Sequence, residues 1–187
     1  MRIIAGKYKN KKIVSKFKGI SPNIKPTTSK VREAVFNIIF NYFKQNGQKI
    51  QHCSFLDLYC GTGAVGIEAI SRGFNPVYFV DQDKDCILLI KHNLANIVNN
   101  ESYQVIRSDI MKLQISSSIY FDVIYLDPPY DQNITSYVLN YINQFTHSKS
   151  LVVLEASKNF STIQANNYRI IGSKSYSNCT VLILVRA

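Results

Sequence analysis

The sequence predicts an α/β fold: a mostly parallel, seven-stranded sheet with one antiparallel edge strand, helices on both faces and a small N-terminal hairpin extension. Two observations lead to this prediction. From Cys53 onward, apolar runs of strand length alternate with amphipathic helical segments, and strands separated by helices form parallel sheets. Residues 168–187 then hold two strand-like runs joined by a polar turn without a helix, which adds one antiparallel strand.

The predicted elements follow one another along the chain. Residues 1–27, a basic hairpin and a linker rich in Gly, Pro and Ser, precede a domain of residues 28–187. A helix begins this domain, because apolar residues recur at helical spacing after Thr27, Thr28 or Ser29, each of which can cap it. The next strands are "CSFLDL", "PVYFVD", "YQVIRSD", "FDVIYLD" and "SLVVLEA", and the helices among them are "GAVGIEAISRG", "KDCILLIKHNLANIV" and "NITSYVLNYINQF".

Positive charge is concentrated in the first quarter of the chain. The formal net charge is +10, and residues 1–44 carry eleven Lys or Arg against one acid, while the remainder is balanced. A block of this kind is typical of a surface that meets phosphates, although a merely solvated face is the alternative. We predict nucleic-acid contact, with these candidate phosphate contacts: Arg2, Lys7, Lys9, Lys11, Lys12 and Arg32.

The bulk composition argues against a membrane or secreted protein. No apolar run approaches the ~18 residues of a membrane span. The start "MRIIAGKYKNKK" turns basic before an apolar core of signal-peptide length. The four cysteines form no CxxC pair and no spacing typical of metal ligands. The sequence therefore predicts a cytoplasmic protein without a membrane partner or a bound metal, and we expect a monomer.

A glycine-rich loop follows the first strand of the main domain. In "DLYCGTGAVG", Asp57 ends the strand, and Gly61, Gly63 and Gly66 form a GxGxxG pattern that opens a helix. Glycines allow a tight turn and close approach to a ligand, and the helix N-terminus offers free N–H groups. In a strand–loop–helix context the pattern indicates a Rossmann-like cofactor site; glycines that serve only helix–strand packing are the alternative.

Three acids at strand ends favour one cofactor over another. Asp81 ends the next strand, where a carboxylate can bind both ribose hydroxyls of an adenosine ligand. NAD and S-adenosylmethionine (SAM) share that ribose, but a carboxylate at Asp57 would repel a pyrophosphate and attract the ammonium of SAM. The sequence therefore favours SAM. Asp109, after the third strand, lies where the adenine edge would fall, and a turn cap is an equal alternative.

The stretch "LDPPYD" carries the predicted chemistry. Asp127 ends the fourth strand, whose carboxyl end opens onto the same crevice as the glycine loop. Pro128 and Pro129 fix the backbone and lack N–H groups, so the loop presents two acceptors, the Asp127 carboxylate and the Pro128 carbonyl. Two acceptors suit the two hydrogens of a nucleobase exocyclic amine, and Tyr130 offers a stacking face. An ordinary Asp-Pro turn at a strand end is the alternative.

These motifs together resemble the bacterial 16S rRNA guanine-N2 methyltransferase family RsmD. The resemblance covers nearly the whole chain and rests on "RIIAGKYKNKKI", "KPTTSKVREAVFNII", "DLYCGTGAVGIEAISRG", "FVDQD", "FDVIYLDPPY" and "YSNCTVLIL". It implies a class I SAM-dependent methyltransferase that releases S-adenosylhomocysteine and acts on one guanine of 16S rRNA within the assembling small ribosomal subunit. Tyr59 and Cys60 stand where the family usually has Phe and Ala, and Asp81 stands where Glu is usual.

The resemblance also implies roles for individual residues. Asp57, Gly61 and Gly63 would hold the methionine end of the cofactor, and Tyr59 would also contact the cofactor. Asp81 would bind the ribose and Asp109 the adenine, Asp127 would border both ligands, and the segment from Asp127 to Tyr130 would hold the guanine. Arg32 and Glu33 would help to close the cofactor site. Three other functions remain open: an adenine-N6 methyltransferase, a non-catalytic RNA-binding assembly factor and an NAD oxidoreductase.

Overall fold

The structure is a computed structural model that describes residues 1–20, 22, 27–99, 101–129, 132–158 and 167–187. Within these ranges no helix is long and apolar enough to cross a membrane. The helices are α1 (Ser29–Gln45), α2 (Ala64–Ser71), α3 (Lys84–Ile97) and α4 (Gln132–Ile142). The strands are β1 (Phe55–Leu58), β2 (Val77–Asp81), β3 (Tyr103–Arg107), β4 (Phe121–Leu126), β5 (Thr146–Ala156), β6 (Tyr168–Ser175) and β7 (Thr180–Arg186).

The seven strands form one sheet in the order β3-β2-β1-β4-β5-β7-β6. The pairs β1–β2, β1–β4, β2–β3 and β4–β5 are parallel, and β7 runs antiparallel to both β5 and β6. The predicted mostly parallel, seven-stranded sheet is therefore confirmed. One detail differs: the antiparallel strand lies one place in from the edge, because β7 returns from the β6–β7 turn to pair with β5 and leaves β6 outside.

Side chains alternate between two apolar layers, one on each face of the sheet. On one face, Phe55 of β1 and Phe79 of β2 pack with α1, α2 and α3. On the other face, Leu56 and Ile124 pack with α4, whose Val138 is buried there. This two-residue period is expected for central strands covered on both sides, and it confirms helices on both faces.

Helix starts follow the residues expected to cap them. The Thr28 side chain accepts a hydrogen bond from the Val31 N–H and fixes the start of α1. Asp83 accepts from the Asp85 and Cys86 N–H groups and begins α3. Each cap satisfies N–H groups that the first helical turn leaves unpaired.

The N-terminal hairpin packs against the main domain. Arg2 and Lys12 form an antiparallel bridge, and Ile3, Tyr8 and Ile13 are buried in the core layer that also holds α1. The buried Glu68 carboxylate of α2 accepts hydrogen bonds from the N–H groups of residues 4 and 5, at 2.8 and 3.0 Å. These hydrogen bonds to Glu68 hold the basic hairpin against α2, the helix that follows the glycine loop.

Candidate active site

A cleft of about 920 Å³ opens at the carboxyl ends of β1, β2, β4 and β5. The first turn of α1 and the β6–β7 turn complete its walls. Its size lies in the range of small-molecule sites, and its position at the carboxyl ends of parallel strands is where α/β sheets bind ligands. The predicted site residues that line it are Asp57, Tyr59, Gly61, Asp81, Asp127, Pro128 and Pro129.

The glycine loop turns through three residues with positive φ. Tyr59, Gly61 and Gly63 have φ values of 57°, 52° and 74°. Gly63 caps α2, and a Cβ there would lie 3.1 Å from the Ile90 side chain. A non-glycine residue with positive φ is uncommon, so Tyr59 marks a backbone that the surrounding structure holds in place. Gly63 itself does not line the cleft, although its neighbours Thr62 and Ala64 do.

Asp57 is a carboxylate enclosed in the protein interior. It is 1% exposed, and its Oδ2 accepts from the Gly66 N–H at 2.8 Å. Burial raises the pKa of Asp57 to about 8; the neighbouring Asp81 and Asp127 carboxylates add to the rise, and the Gly66 hydrogen bond opposes it. A positively charged ligand group beside Asp57 would offset the cost of ionising it in this environment.

Asp81 ties the glycine loop to the end of β2. One of its oxygens accepts from the Gly61 N–H at 2.9 Å and the other accepts from the Asp83 N–H at 2.9 Å. Both bonds fix the carboxylate at the edge of the cleft, where lone pairs remain for a ligand hydroxyl.

Asp109 does not line the cleft. Its side chain accepts from the Met111 N–H at 3.0 Å and caps a 3-10 turn at Ile110–Lys112. The structure shows the turn-cap interaction of Asp109, and the adenine contact stays a prediction. Burial, followed by the Asp109 and Asp81 carboxylates, raises the pKa of Tyr59 to about 12.

The Asp-Pro-Pro loop reaches the same cleft from the end of β4. Asp127 is partly exposed, Pro128 is buried and Pro129 is exposed. The predicted stacking residue, Tyr130, lies outside the described residues. The glycine loop and this loop therefore form adjacent walls of one cavity, because β1 and β4 are neighbours in the sheet.

Comparison with known proteins places the chain in a family. The profile of the family described as "Conserved hypothetical protein 95" matches residues 1–185. The ribosomal RNA small subunit methyltransferase D of Buchnera aphidicola (Acyrthosiphon pisum) is 31% identical over 92% of this chain and 86% of its own length. The enzyme of the same name from Haemophilus influenzae is 30% identical over 94% of this chain and 88% of its own. The chain belongs to the RsmD family.

Solved structures show the same fold. A hypothetical protein from Thermus thermophilus superimposes with a TM-score of 0.77 at 21% identity, covering 100% of this chain and 99% of that one. The magnesium protoporphyrin IX methyltransferase of Synechocystis PCC 6803, solved with bound SAM, has a TM-score of 0.66 at 13% identity, covering 83% and 79%. The RsmD-family chain thus has the class I methyltransferase fold, as predicted.

The structure adds site residues that sequence reasoning missed. Tyr125 and Glu155 line the cleft, and the Tyr125 hydroxyl donates to Glu155 Oε2 at 2.7 Å. Both residues are buried and belong to the strand runs "VIYL" and "SLVVLEA". Because these runs are mainly apolar, their pattern indicates core strands and does not indicate polar site residues. The signal that could have revealed Glu155 is an acid near the end of a central strand, the feature that identified Asp57 and Asp127.

The first turn of α1 closes the cleft through residues other than those predicted. Thr27, Thr28, Lys30 and Val31 line the cavity, whereas Glu33 is exposed on α1 and does not line it. Further lysines stand at the mouth of the cleft, at positions 158 and 174, and both are exposed.

The structure does not bear out the predicted phosphate contact of Arg32. Its side chain is 1% exposed, and its guanidinium donates to the backbone carbonyls of Arg2 and Thr27 at 2.8 and 3.0 Å. The physical reason is packing: Arg32 precedes Phe36 and Ile39 at helical spacing on the buried face of α1. Arg32 therefore joins the N-terminal hairpin to the start of α1.

The other five predicted phosphate contacts are exposed on the N-terminal hairpin. Arg2 donates to the Asn10 carbonyl, Lys7 pairs with Glu101 at 2.6 Å, and Lys11 donates to the Ile97 carbonyl. The side chains of Lys9 and Lys12 have no hydrogen-bond or ion-pair partner among the described residues. In the same part of the chain, no group of three or more His, Cys, Asp or Glu side chains could hold a metal ion.

Proposed function

We propose that this protein transfers a methyl group from SAM to the exocyclic N2 amine of a guanine in the 16S rRNA of the small ribosomal subunit. One observation carries the proposal: Asp127 and Pro128 line the same cleft as the glycine loop and Asp57. The rRNA substrate is supported by the names of the Buchnera and Haemophilus relatives and by the basic N-terminal hairpin.

The residues present fit SAM. SAM, when bound, supplies an activated methyl group on a sulfonium. Asp57 is the partner for its ammonium, because a cation there would stabilise the ionised form of a carboxylate whose pKa burial raises to about 8. Asp81, at the end of β2, is the partner for the ribose hydroxyls. Tyr59 and Gly61 line the cleft, and both have positive φ in the turn that follows β1.

Asp127 and Pro128 orient the amine. A guanine amine is a weak nucleophile because its lone pair is delocalised into the ring. The Asp127 carboxylate and the Pro128 carbonyl accept its two hydrogens, which directs the nitrogen lone pair and favours the positive charge that develops there. The amine loses a proton only after it has become positively charged, so a strong base is not required.

The target guanine enters the cleft unpaired. A base within a duplex cannot present its amine to a carboxylate inside the cleft, so the nucleotide is single-stranded or flipped. Tyr130 is proposed to stack on it. Lys9 and Lys12, which are exposed on the hairpin, are the proposed phosphate contacts, with Arg2, Lys7 and Lys11 beside them. We propose a cytoplasmic monomer that acts on the assembling subunit.

The proposal is tested by incorporation of labelled methyl groups. Purified protein and labelled SAM are incubated with small ribosomal subunits from cells that lack the enzyme, and with a duplex DNA as control. We expect incorporation into the 16S rRNA of the subunits and none into the DNA. If the protein is folded and binds SAM in calorimetry but does not label subunit RNA, the proposal is wrong.

A further inference from the structure

Glu155 is the carboxylate in the cleft to which the proposed function gives no role. It lies near the end of β5, is 7% exposed and lines the cavity. The parallel register sets Leu126 of β4 opposite Leu154 of β5. Asp127 and Glu155 are the next residues along these neighbouring strands, so two carboxylates stand side by side at the edge where the base would enter.

The Tyr125 hydroxyl holds Glu155 in place. It donates to Glu155 Oε2 at 2.7 Å, and among the described residues no group donates to the other oxygen, Oε1. Burial, and after it the Glu155 and Asp127 carboxylates, raise the pKa of Tyr125 well above its usual value, as expected for a ring between two acids. Because Glu155 lines the cleft, this second oxygen can accept a hydrogen bond that a ligand brings.

The two bases that carry an exocyclic amine differ beside that amine. On the Watson–Crick edge of guanine, the N2 amine is next to the N1–H, so the amine and its neighbour are both donors. On adenine, the N6 amine is next to N1, which is an acceptor. A second carboxylate beside the amine-binding Asp127 therefore complements guanine and opposes the lone pair of adenine.

We propose that Glu155 accepts the N1–H of the target guanine and so determines the selection of guanine over adenine. The inference rests on the proposed function, because it takes Asp127 as the partner of the amine. A site built to bind a donor rejects an analogue without that donor strongly, since its own buried polar group then stays unpaired. Asp127 holds the amine in either base, whereas Glu155 reads the neighbouring ring position.

The test removes the N1–H donor from the base, by an analogue that also lacks O6, and removes one charge from the protein. Small subunits are reconstituted with either guanine or 2-aminopurine at the target position; 2-aminopurine keeps the amine but has an acceptor at N1. We expect the native protein to favour guanine in kcat/KM by about a hundredfold or more. In Glu155→Gln, whose amide can donate to N1, the preference is expected to fall to within about tenfold. An unchanged preference in this variant would overturn the inference.

Two further variants separate recognition from packing. Tyr125→Phe removes the hydroxyl but keeps the Glu155 carboxylate, and it is expected to retain most of the preference for guanine. An equal loss in both variants would show that Glu155 only supports Tyr125, and the inference would be wrong. Glu155→Asp withdraws the charge by one methylene and is expected to lose part of the preference, which provides a second measurement should glutamine disturb the fold.

The outcome also distinguishes this inference from the proposed function. If the native protein methylates neither base, the proposed function fails. If it methylates guanine and Glu155→Gln discriminates as the native protein does, only the role of Glu155 fails. SAM affinity, measured by calorimetry, is expected to stay within about threefold in all three variants, because Asp57, Asp81 and the glycine loop keep their native residues.

Discussion

Asp127 is the residue on which the proposed chemistry depends most directly. Asp127→Ala removes an acceptor that acts on the charge developing at the amine, and we expect kcat to fall about 10²–10³-fold or more. SAM affinity should change little, because Asp57 and Asp81 remain. Single-turnover methylation and calorimetry measure the two quantities. The control is Asp85→Ala, an exposed acid of α3 outside the cleft. Near-native turnover in Asp127→Ala would show that the carboxylate has another role.

Asp57 gives the protein without cofactor a specific pH dependence. Its pKa is about 8 in the folded state against 3.8 as the ordinary value. Between these values the folded protein binds a proton that the unfolded chain has lost. The stability contributed by Asp57 is therefore present at low pH and is lost as pH rises through the folded pKa, by up to ~1.4 kcal/mol per pH unit.

Asp57→Asn removes this titration. We expect the variant to gain free energy of unfolding relative to the native protein between about pH 5 and about pH 8. Urea unfolding at several pH values measures the difference, and Asp85→Asn is the matched control. A difference between native and Asp57→Asn that does not vary with pH would contradict the burial of an ionisable Asp57.

At the scale of the element, α2 must lie close to β2 to place the glycine loop. A Cβ on Gly66 would lie 2.3 Å from Cε1 of Phe79, whose ring is fully buried. Helix propensity alone would make Gly66→Ala stabilising by up to ~1 kcal/mol, but overpacking of a buried ring costs about 1–3 kcal/mol. We therefore expect net destabilisation by ~1–2 kcal/mol.

Denaturant unfolding tests this packing. Gly172→Ala is the control, because a Cβ there meets Ile183 at 3.7 Å, an ordinary contact. Phe79→Leu should restore part of the stability of Gly66→Ala. A Gly66→Ala protein as stable as the native one would show that α2 can move away from β2 at no cost.

The N-terminal hairpin is connected to the glycine loop through one side chain of α3. Asn93 accepts from the Val14 N–H at 3.0 Å and donates to the Val14 and Thr62 carbonyls at 3.1 and 3.2 Å. Asn93→Leu should remove the exchange protection of the Val14 amide and weaken SAM binding by about tenfold. Hydrogen exchange and calorimetry measure both, and Asn96→Ala on exposed α3 surface is the control. Unchanged SAM affinity would mean that the loop holds its shape without this contact.

Most helices and strands could be predicted from the spacing of apolar residues and from capping residues. The place of one strand in the sheet and the role of one arginine could not. Strands β1 to β5 and their helices follow from apolar runs and from residues such as Thr28. The place of β7 does not, because a hairpin pattern is the same whichever of its strands pairs with β5. Asp57, Asp81 and Asp127 could be identified because each lies within one residue of the carboxyl end of a parallel strand. The prediction that Arg32 contacts phosphate is wrong. It followed from the N-terminal block of positive charge, whereas the helical spacing of Arg32 to Phe36 indicates the buried face of α1.

At the scale of the whole molecule, the excess positive charge lies in the N-terminal part of the chain, which includes the hairpin. Lys9→Gln/Lys12→Gln removes two exposed charges of the hairpin, and the slope of log affinity against log salt for subunit RNA should become shallower by about 1.5 units. Lys49→Gln/Lys149→Gln is the control, because these exposed lysines lie near the amino ends of β1 and β5, opposite the cleft. Equal effects of the two pairs would show that net charge, rather than the hairpin, drives binding.

The identity of the methylated nucleoside tests the central claim most directly. Subunit RNA from the labelled-SAM reaction is digested to nucleosides and analysed by mass spectrometry, with Asp127→Ala as the paired sample. The acceptors of Asp127 and Pro128 and the neighbouring Glu155 carboxylate predict N2-methylguanosine from the native protein and a large loss of it from the variant. N6-methyladenosine, or N2-methylguanosine in equal amount from both proteins, would contradict this account.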